Sequence, residues 1–548
     1  MGPAHGTQPL PRTSVAWLAA ILLAAGAVGF GAFCFLEQLR SGFIVTGLRN
    51  PGQGGGAWGL YIAFDVFFVG VSFAGITVAA LCRLFEIEAL RPVTRLAELL
   101  TITALLAGAA AVLSDLGRPL EGLLNLPRYA NPRSPFFGTF TLVVAGYLFS
   151  SLVYFFLAAR ADAAATSRTA RHGRWLYRLW ASGWTDGPAE RERHHRVSFW
   201  LAIGILPLLV TAHSTLGFIF GIQSGRPGWY SALQAPAFVV MAGVSGTGMV
   251  ILATLAVRRL FRLEERIPDA SIGWLGNFLW VLALVYLYLM VVEELTATYA
   301  APAADRHLAH QVVTGHFAPL FWTTVVCLVL AFAIPFSLYL RRRTSVAAVG
   351  VAALLANVAA VGKRILIVVP SQTHGALLPV DPPGAYAPTW VELGLVGGMF
   401  GIVALAVLAF VRVFPIVPTA HGAPPRAAAR SSGDWLRAAA ALLTIAIAMA
   451  VIAVGLSDSF RMWSGEDIDP RIPYSPALFA GGVILLFSSA VVYETFPRRR
   501  RARAARRAAR VPHPPPTSAP RLRARSARVT ARPWLRSPRS RNPGARHE

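Results

Sequence analysis

Residues 58–82 read WGLYIAFDVFFVGVSFAGITVAALC, twenty-five positions in which Asp65 is the only Asp, Glu, Lys, Arg or His. A helix needs about 20 mostly apolar residues to cross the hydrocarbon core of a bilayer, and an acid two turns inside such a run is costly and usually functional. Apolar runs of that length recur along the 548-residue chain near 14–37, 58–82, 93–115, 135–159, 197–221, 232–257, 271–294, 316–340, 345–369, 389–411, 435–457 and 475–496. The expected fold class is all-α, a polytopic transmembrane helix bundle of about 12 spans. Composition agrees: 55% of residues are hydrophobic and 14% charged, against about 25% charged in soluble domains. The first apolar run is longer than a signal-peptide h-region and no small-residue cleavage site clearly follows it, so it reads as a retained anchor.

The formal net charge of +25 suggests nucleic acid until it is located. Residues 498–548 hold 17 Arg against one acid, Glu548. That tail has almost no large apolar residues and cannot bury enough surface to order itself; it reads as disordered, touching anionic lipid headgroups. Membrane lipids are expected partners and nucleic acid is not. Lys and Arg accumulate on the cytoplasmic side of short loops. Numbering loops alternately puts 40 of the 51 on the side of the N-terminus and 11 on the other, and 23 against 11 without the tail. Both termini are therefore expected in the cytoplasm, in a bacterial plasma membrane. Eight of the Arg fall between Arg160 and Arg196, which reads as the main internal loop. Cys34, Cys82 and Cys327 have no C-x-x-C spacing, so disulfide framework, structural zinc and an iron–sulfur cluster all lack ligands from this chain.

Under this topology the ionisable residues of the spans gather toward the periplasmic side: Glu37, Asp65, Asp115, His213, Glu293, Glu294, His316, Lys363, Arg364 and Glu392. The inner half offers little beyond Glu98 and Glu494, both near enough to an end to snorkel. A shelf of polar groups at one depth suits a headgroup pocket rather than a transmembrane ion path. The outer loops carry tight-turn sequences, among them NPGQGGGAWG, DLGRP, YANPRSP, SGRPGW and PPGAYAPTW, which fit a structured rim with Trp58, Trp229 and Trp390 as an aromatic belt. Gly397 with Gly401, and Gly243 with Gly246 and Gly248, have the spacing that lets helices approach closely.

These residues together resemble a known family. WGLYIAFDVFFVGVSFAG (58–75), LSDLGRPLEGLLNLPRYANPRSP (113–135), HSTLGFIFGIQSGRPGWYSALQAPAFVVMAGVSG (213–246), EELTATY (293–299), GHFAPLFW (315–322), KRILIVVPS (363–371) and YAPTWVELGLVGGMFG (386–401) are similar to the NrfD/PsrC family of polysulfide-reductase membrane subunits. The likeness is closer to its ten-helix members, those of Hmc, Dsr and alternative complex III type. It covers roughly 14–418, giving an expected division into a cytoplasmic N-terminus (1–13), an NrfD-like quinone-interacting core (14–418), two additional spans (419–497) and the tail (498–548).

The resemblance implies a heme-free membrane subunit, not catalytic in isolation, that binds a quinone (menaquinone or ubiquinone) near the periplasmic face. It also implies electron exchange with a periplasm-facing 4Fe-4S ferredoxin-like subunit, with molybdopterin or multiheme cytochrome subunits as further partners in some complexes. In the family the position before L-G-R-P and the Arg inside it belong to the quinol region, which carries over to Asp115 and Arg118, and the His of the fifth span carries over to His213. Alternative complex III members have a His in span 2 and a second Asp in span 5; this chain has Phe73 and Ile219 nearest those positions, which leaves Asp65 as the substitute. Quinol oxidation releases two protons, so a pocket needs a base near each oxygen: Asp65 and Asp115 are the candidates, with His213 as hydrogen-bond partner. Arg118, Lys363 and Arg364 would stabilise developing negative charge, and Trp58, Trp229 and Glu293 would complete the binding region. A b-type cytochrome would need facing axial His, for which only His213 and His316 stand near the interior. A secondary transporter would place its polar residues near the midplane.

Overall fold

The computed structural model describes residues 14–48, 56–129, 141–170, 173–299, 301–373, 386–418, 439–440, 442–454 and 475–495. Ten helices among them have the length and apolar composition to cross a membrane. They are α1 (Val15–Ser41), α2 (Leu60–Leu84), α3 (Thr94–Asp115), α5 (Thr141–Thr169), α7 (Pro188–Gly221), α8 (Gln234–Leu260), α9 (Asp269–Tyr299), α11 (Ala318–Leu340), α12 (Val346–Val368) and α14 (Trp390–Val413). Between them lie the shorter α4 (Pro119–Tyr129), α6 (Arg174–Ala181), α10 (Ala303–Val313) and α13 (Pro370–Thr373). Beyond α14, the expected spans at 435–457 and 475–496 are represented by the apolar helices α15 (Leu442–Val454) and α16 (Ser475–Thr495). The expected N-terminal segment 1–13 and Arg-rich tail 498–548 lie outside the described residues.

Helix α2 is the hub. Every residue from Leu60 through Ala80 is buried, which is what a helix apolar on all sides requires, and α3, α7, α8, α12 and α14 all pack against it. Small residues set the spacing. A Cβ on Gly75 would lie 2.2 Å from the Ala97 carbonyl of α3, and one on Gly246 of α8 would meet the Val71 carbonyl of α2 at 2.9 Å. Helix α1 is largely exposed on its lipid side and packs on α14. Their closest approach is Gly31 to Gly398; Gly401 also abuts α1, whereas Gly397 has open space around it.

The end of the bundle that carries the N-terminus departs from expectation. Glu98 and Glu494 do not snorkel; both are buried and ion-paired, Glu98 with Arg83 at 2.9 Å and Glu494 with Arg160 and His194. Arg95 pairs with Asp162, again fully enclosed. The stretch 160–196 is therefore not a simple loop: α5 runs on to Thr169, α6 follows, and α7 begins at Pro188. Arg160 is an inward-facing cation that holds α16 to α5, with Glu190 of α7 at 3.7 Å. Charge census by position misses such pairs because a buried ion needs a partner on another helix, and sequence separation hides it.

Candidate functional site

Two connected clusters form at the opposite end of the bundle. The first lies along the seam between α2 and α3. Tyr61 and Asp65 stand four residues apart, hence on one face of α2. The Asp65 carboxylate faces Gly108 of α3: a Cβ there would lie 3.2 Å from Asp65 Oδ1. Asp115 is seven residues further along α3, two turns on and at the C-terminal end of that helix. Asp65 is 2% exposed; among the described residues the charged group acting on it is Asp115, another buried acid. The Tyr61 hydroxyl donates to Gln38 Oε1 of α1 at 2.5 Å, and Gln38 Nε2 donates to the Ser114 carbonyl at 2.7 Å. Three helices are thus tied directly beside Asp115.

Glu392 closes this cluster from α14. It is 0% exposed and forms a capping box with Thr389, accepting from the Gly47 N–H at 2.8 Å, the Thr389 N–H at 3.1 Å and the Tyr386 hydroxyl at 2.6 Å. Tyr386 Oη in turn accepts from the Leu60 N–H at the start of α2, at 2.7 Å. Burial and the neighbouring Glu392 carboxylate push the Tyr386 phenol well above the usual tyrosine range, so it stays a donor. Gly59 leaves room for that ring; a Cβ there would lie 2.4 Å from it.

The second cluster is aromatic and cationic. Trp58 and Trp229 stack at 5.8 Å with Phe220 edge-on to both. Trp229 is 5% exposed and donates its indole N–H to the Ile367 carbonyl at 2.7 Å, so it is an internal strut and not a member of an interfacial belt. Trp390, by contrast, is exposed. Gln372 grips the backbone of Trp58 at both N–H and carbonyl. Lys363 Nζ pairs with Glu293 at 2.7 Å, and the buried Arg364 lies over the Phe238 ring at 4.2 Å.

His213 lies one turn deeper than Asp65. Its Nε2 faces the Val69 carbonyl of α2 at 2.9 Å and its Nδ1 the Leu209 carbonyl at 2.8 Å, with Phe73 edge-on at 5.0 Å. Carbonyls only accept, so a neutral ring donates to one of them and only a doubly protonated ring donates to both. The structure thus brings Asp65, Asp115 and His213 onto one seam around α2, and Trp58, Trp229, Lys363, Arg364 and Glu293 onto the adjoining wall. Arg118 is elsewhere: on the turn after α3, which Gly117 makes with φ +74°, its side chain is 78% exposed and pairs with Glu121 at 3.2 Å. Sequence reasoning missed Gln38, Tyr61 and Tyr386 because it counted only acids, bases and histidines; the i, i+4 spacing of Tyr61 and Asp65 was the available signal.

The family model described as "Polysulphide reductase, NrfD" matches residues 50–376. The chain belongs to this family. A putative dimethyl sulfoxide reductase membrane subunit from Halobacterium salinarum is 31% identical over 445 residues, covering 76% of this chain and 94% of that protein. A selenate reductase subunit from Mesobacillus selenatarsenatis is 24% identical, covering 72% and 94%. An Hdr-like menaquinol oxidoreductase integral membrane subunit from Archaeoglobus fulgidus is also 24% identical, covering 74% and 95%. With ten candidate spans and this membership, the chain is a multi-pass membrane protein.

Proposed function

We propose that this NrfD-family chain is the quinone-interacting membrane subunit of a respiratory oxidoreductase complex, exchanging electrons between the quinone pool and an iron–sulfur subunit docked at the end opposite the N-terminus. By the distribution of Lys and Arg that end is periplasmic and the membrane is the plasma membrane. The relatives' names support membership of an oxidoreductase complex, and the Archaeoglobus fulgidus relative's name includes menaquinol. The observation that carries the reading is Asp65: a buried acid on a helix with no lipid-facing side, near a second buried acid, with no ion-pair partner among the described residues.

The residues fit a quinone headgroup on two counts. The Asp65 carboxylate has no cation paired with it among the described residues and has the buried Asp115 as its charged neighbour. The Trp58–Trp229–Phe220 cluster gives flat apolar surface on the adjoining wall. A bound quinol supplies the two electrons and two protons. This chain's part is positional and protonic. Asp65 accepts a proton inside the seam and Asp115, nearer the opening, passes it outward. Tyr61 and Gln38 hold the mouth of the seam in register, and His213 fixes α7 against α2 behind it. Lys363, paired with Glu293, and Arg364 keep positive charge along the wall, where it favours developing negative charge. Arg118, exposed on the rim, is assigned to the surface that meets the partner subunit.

The test is quinol oxidation by the assembled complex carrying Asp65→Asn or Asp115→Asn. Loss of one general base costs about 10²–10⁴-fold in rate, with quinone still extracted alongside the purified variant. Unchanged turnover in both variants would leave a structural anchor as the better reading.

A further inference from the structure

Helix α9 turns one stripe of side chains outward. Val281, Leu284, Val285, Tyr288 and Val291 recur at three- and four-residue spacing and are all exposed, as the bilayer-facing side of a span should be. Asn277 opens this stripe. It is exposed too, and its amide bonds to no described residue. Hydrocarbon offers a carboxamide neither donor nor acceptor, so a bare amide on a lipid-facing side is costly unless polar groups of the lipid itself meet it.

Neighbouring contacts set its depth. A Cβ on Gly273 would meet the Thr344 side chain at 3.2 Å, and one on Gly276 would lie 3.8 Å from Pro335 of α11. Thr344 directly follows Arg341, Arg342 and Arg343, at the end of α11. Asn277, four residues beyond Gly273, therefore lies about 6 Å deeper in the bundle than those cations. The polar zone of one leaflet is about 5–8 Å thick, so with a phosphate at the arginines the glycerol ester carbonyls fall at the level of the amide. All three arginines are exposed, and none pairs with an acid among the described residues. Arg342 holds φ +49°, where glycine fits with less strain, yet the position carries a cation. The α8–α9 turn at the same end adds Arg258, Arg259, Arg262 and Arg266 against Glu264, Glu265 and Asp269, and Arg258 takes Asp269 at 2.6 Å. One turn along from Asn277, Trp280 packs on Phe336 at 5.1 Å and on the exposed Tyr339 at 5.6 Å, an aromatic wall at the level where an acyl chain begins.

We propose that the outer face of α9 and α11, at the end of the bundle carrying the N-terminus, binds one anionic diacyl glycerophospholipid. Its phosphate meets Arg341, Arg342 and Arg343, an ester carbonyl accepts from the Asn277 amide, and an acyl chain lies along the stripe from Val281 to Val291. The two polar contacts divide the recognition. The arginines select a headgroup with net negative charge, whereas Asn277 reads the ester linkage whatever the headgroup. The site lies at the opposite end from the Asp65 seam and does not depend on quinone binding.

The test is photo-crosslinking of the purified complex in detergent with phosphatidylglycerol carrying a diazirine on its acyl chain, the labelled peptides being mapped by mass spectrometry. Label is expected on α9 between Asn277 and Val291. Unlabelled dioleoyl phosphatidylglycerol should compete for that label about 100-fold better than dioleoyl phosphatidylcholine, a tenfold or smaller step for each of three arginines. Replacing all three together, Arg341→Gln, Arg342→Gln and Arg343→Gln, should abolish the preference. Asn277→Leu, a surface change that should elute as wild type, should weaken both competitors about fivefold and by the same factor. An ether-linked phosphatidylglycerol, lacking the carbonyls, should compete less well than the ester lipid on wild type and equally well on Asn277→Leu. A stripe that takes no label, as when a second copy of the chain covers it, overturns the proposal. Equal competition by the two headgroups on wild type, a preference that survives loss of the arginines, or an Asn277→Leu variant that binds as wild type does so equally.

Discussion

Glu392→Gln is the most informative single change outside the Asp65–Asp115 seam. The carboxylate takes three hydrogen bonds, from Gly47 N–H, Thr389 N–H and Tyr386 Oη, and so binds the α1–α2 connection, its own helix start and α2. A Gln in the same rotamer has one acceptor oxygen. Turned toward the two N–H groups, it presents an amide NH₂ to the Tyr386 hydroxyl and leaves that O–H without its acceptor. An orphaned buried donor costs about 1–3 kcal/mol, and each of the other two bonds falls from charge-assisted to neutral, about 1 kcal/mol apiece. Relief of the buried charge returns about 1–2 kcal/mol. The net loss is about 1–4 kcal/mol. Unfolding of the detergent-solubilised protein should show it, and in a double-mutant cycle with Tyr386→Phe the pair should be coupled by at least about 1 kcal/mol. Additivity within about 0.5 kcal/mol, or a Gln variant as stable as wild type, would refute the assignment of Glu392 as the pin of this end.

Other outcomes follow from single contacts. Glu494→Gln strands Arg160 beside a more distant Glu190 and should cost about 3 kcal/mol, read as faster protease access to α16, or faster labelling of a Cys engineered into it. Gly398→Leu drives a side chain into Gly31 and should cost at least about 1–3 kcal/mol; a Cys pair engineered across α1 and α14 should then crosslink poorly. Arg118→Ala, at an exposed ion pair, should change stability by no more than about 0.5 kcal/mol while weakening co-purification with the proposed iron–sulfur subunit.

The spans were legible because bilayer thickness fixes their length: each of the ten long helices overlaps an apolar run readable in the sequence. Asp65 and His213 were legible because an ionisable residue inside such a run has few innocent explanations. What could not be read was pairing. Arg83, Arg95 and Arg160 look like loop cations in sequence, yet each is matched to an acid on another element or far along the chain, and only the packing brings Glu494 to Arg160 across 334 positions. Neutral polar groups were equally silent. Gln38 is an ordinary residue near a helix end until Tyr61 and the Ser114 carbonyl arrive on either side of it.

Under the proposed function, the contrast between Asp65 and Arg118 gives the end of the bundle opposite the N-terminus its logic. Both belong to the sequence motifs that resemble the family, yet one is enclosed at 2% and the other stands 78% in the open. A base that takes a proton from a hydrophobic donor must be shielded from bulk water, because water at that position would compete for the same proton. A residue that meets a protein partner must be reachable. Helix α2 can supply the first environment only because it has no lipid face, and Gly117 supplies the second by turning the chain outward within two residues of Asp115. Moving the acid to the rim, as in Asp65→Ala with Gly108→Asp as a same-level control and Arg118→Asp as the rim counterpart, separates the two demands. The same-level acid, facing the same seam from α3, should retain part of the quinol turnover, and the rim acid should retain none.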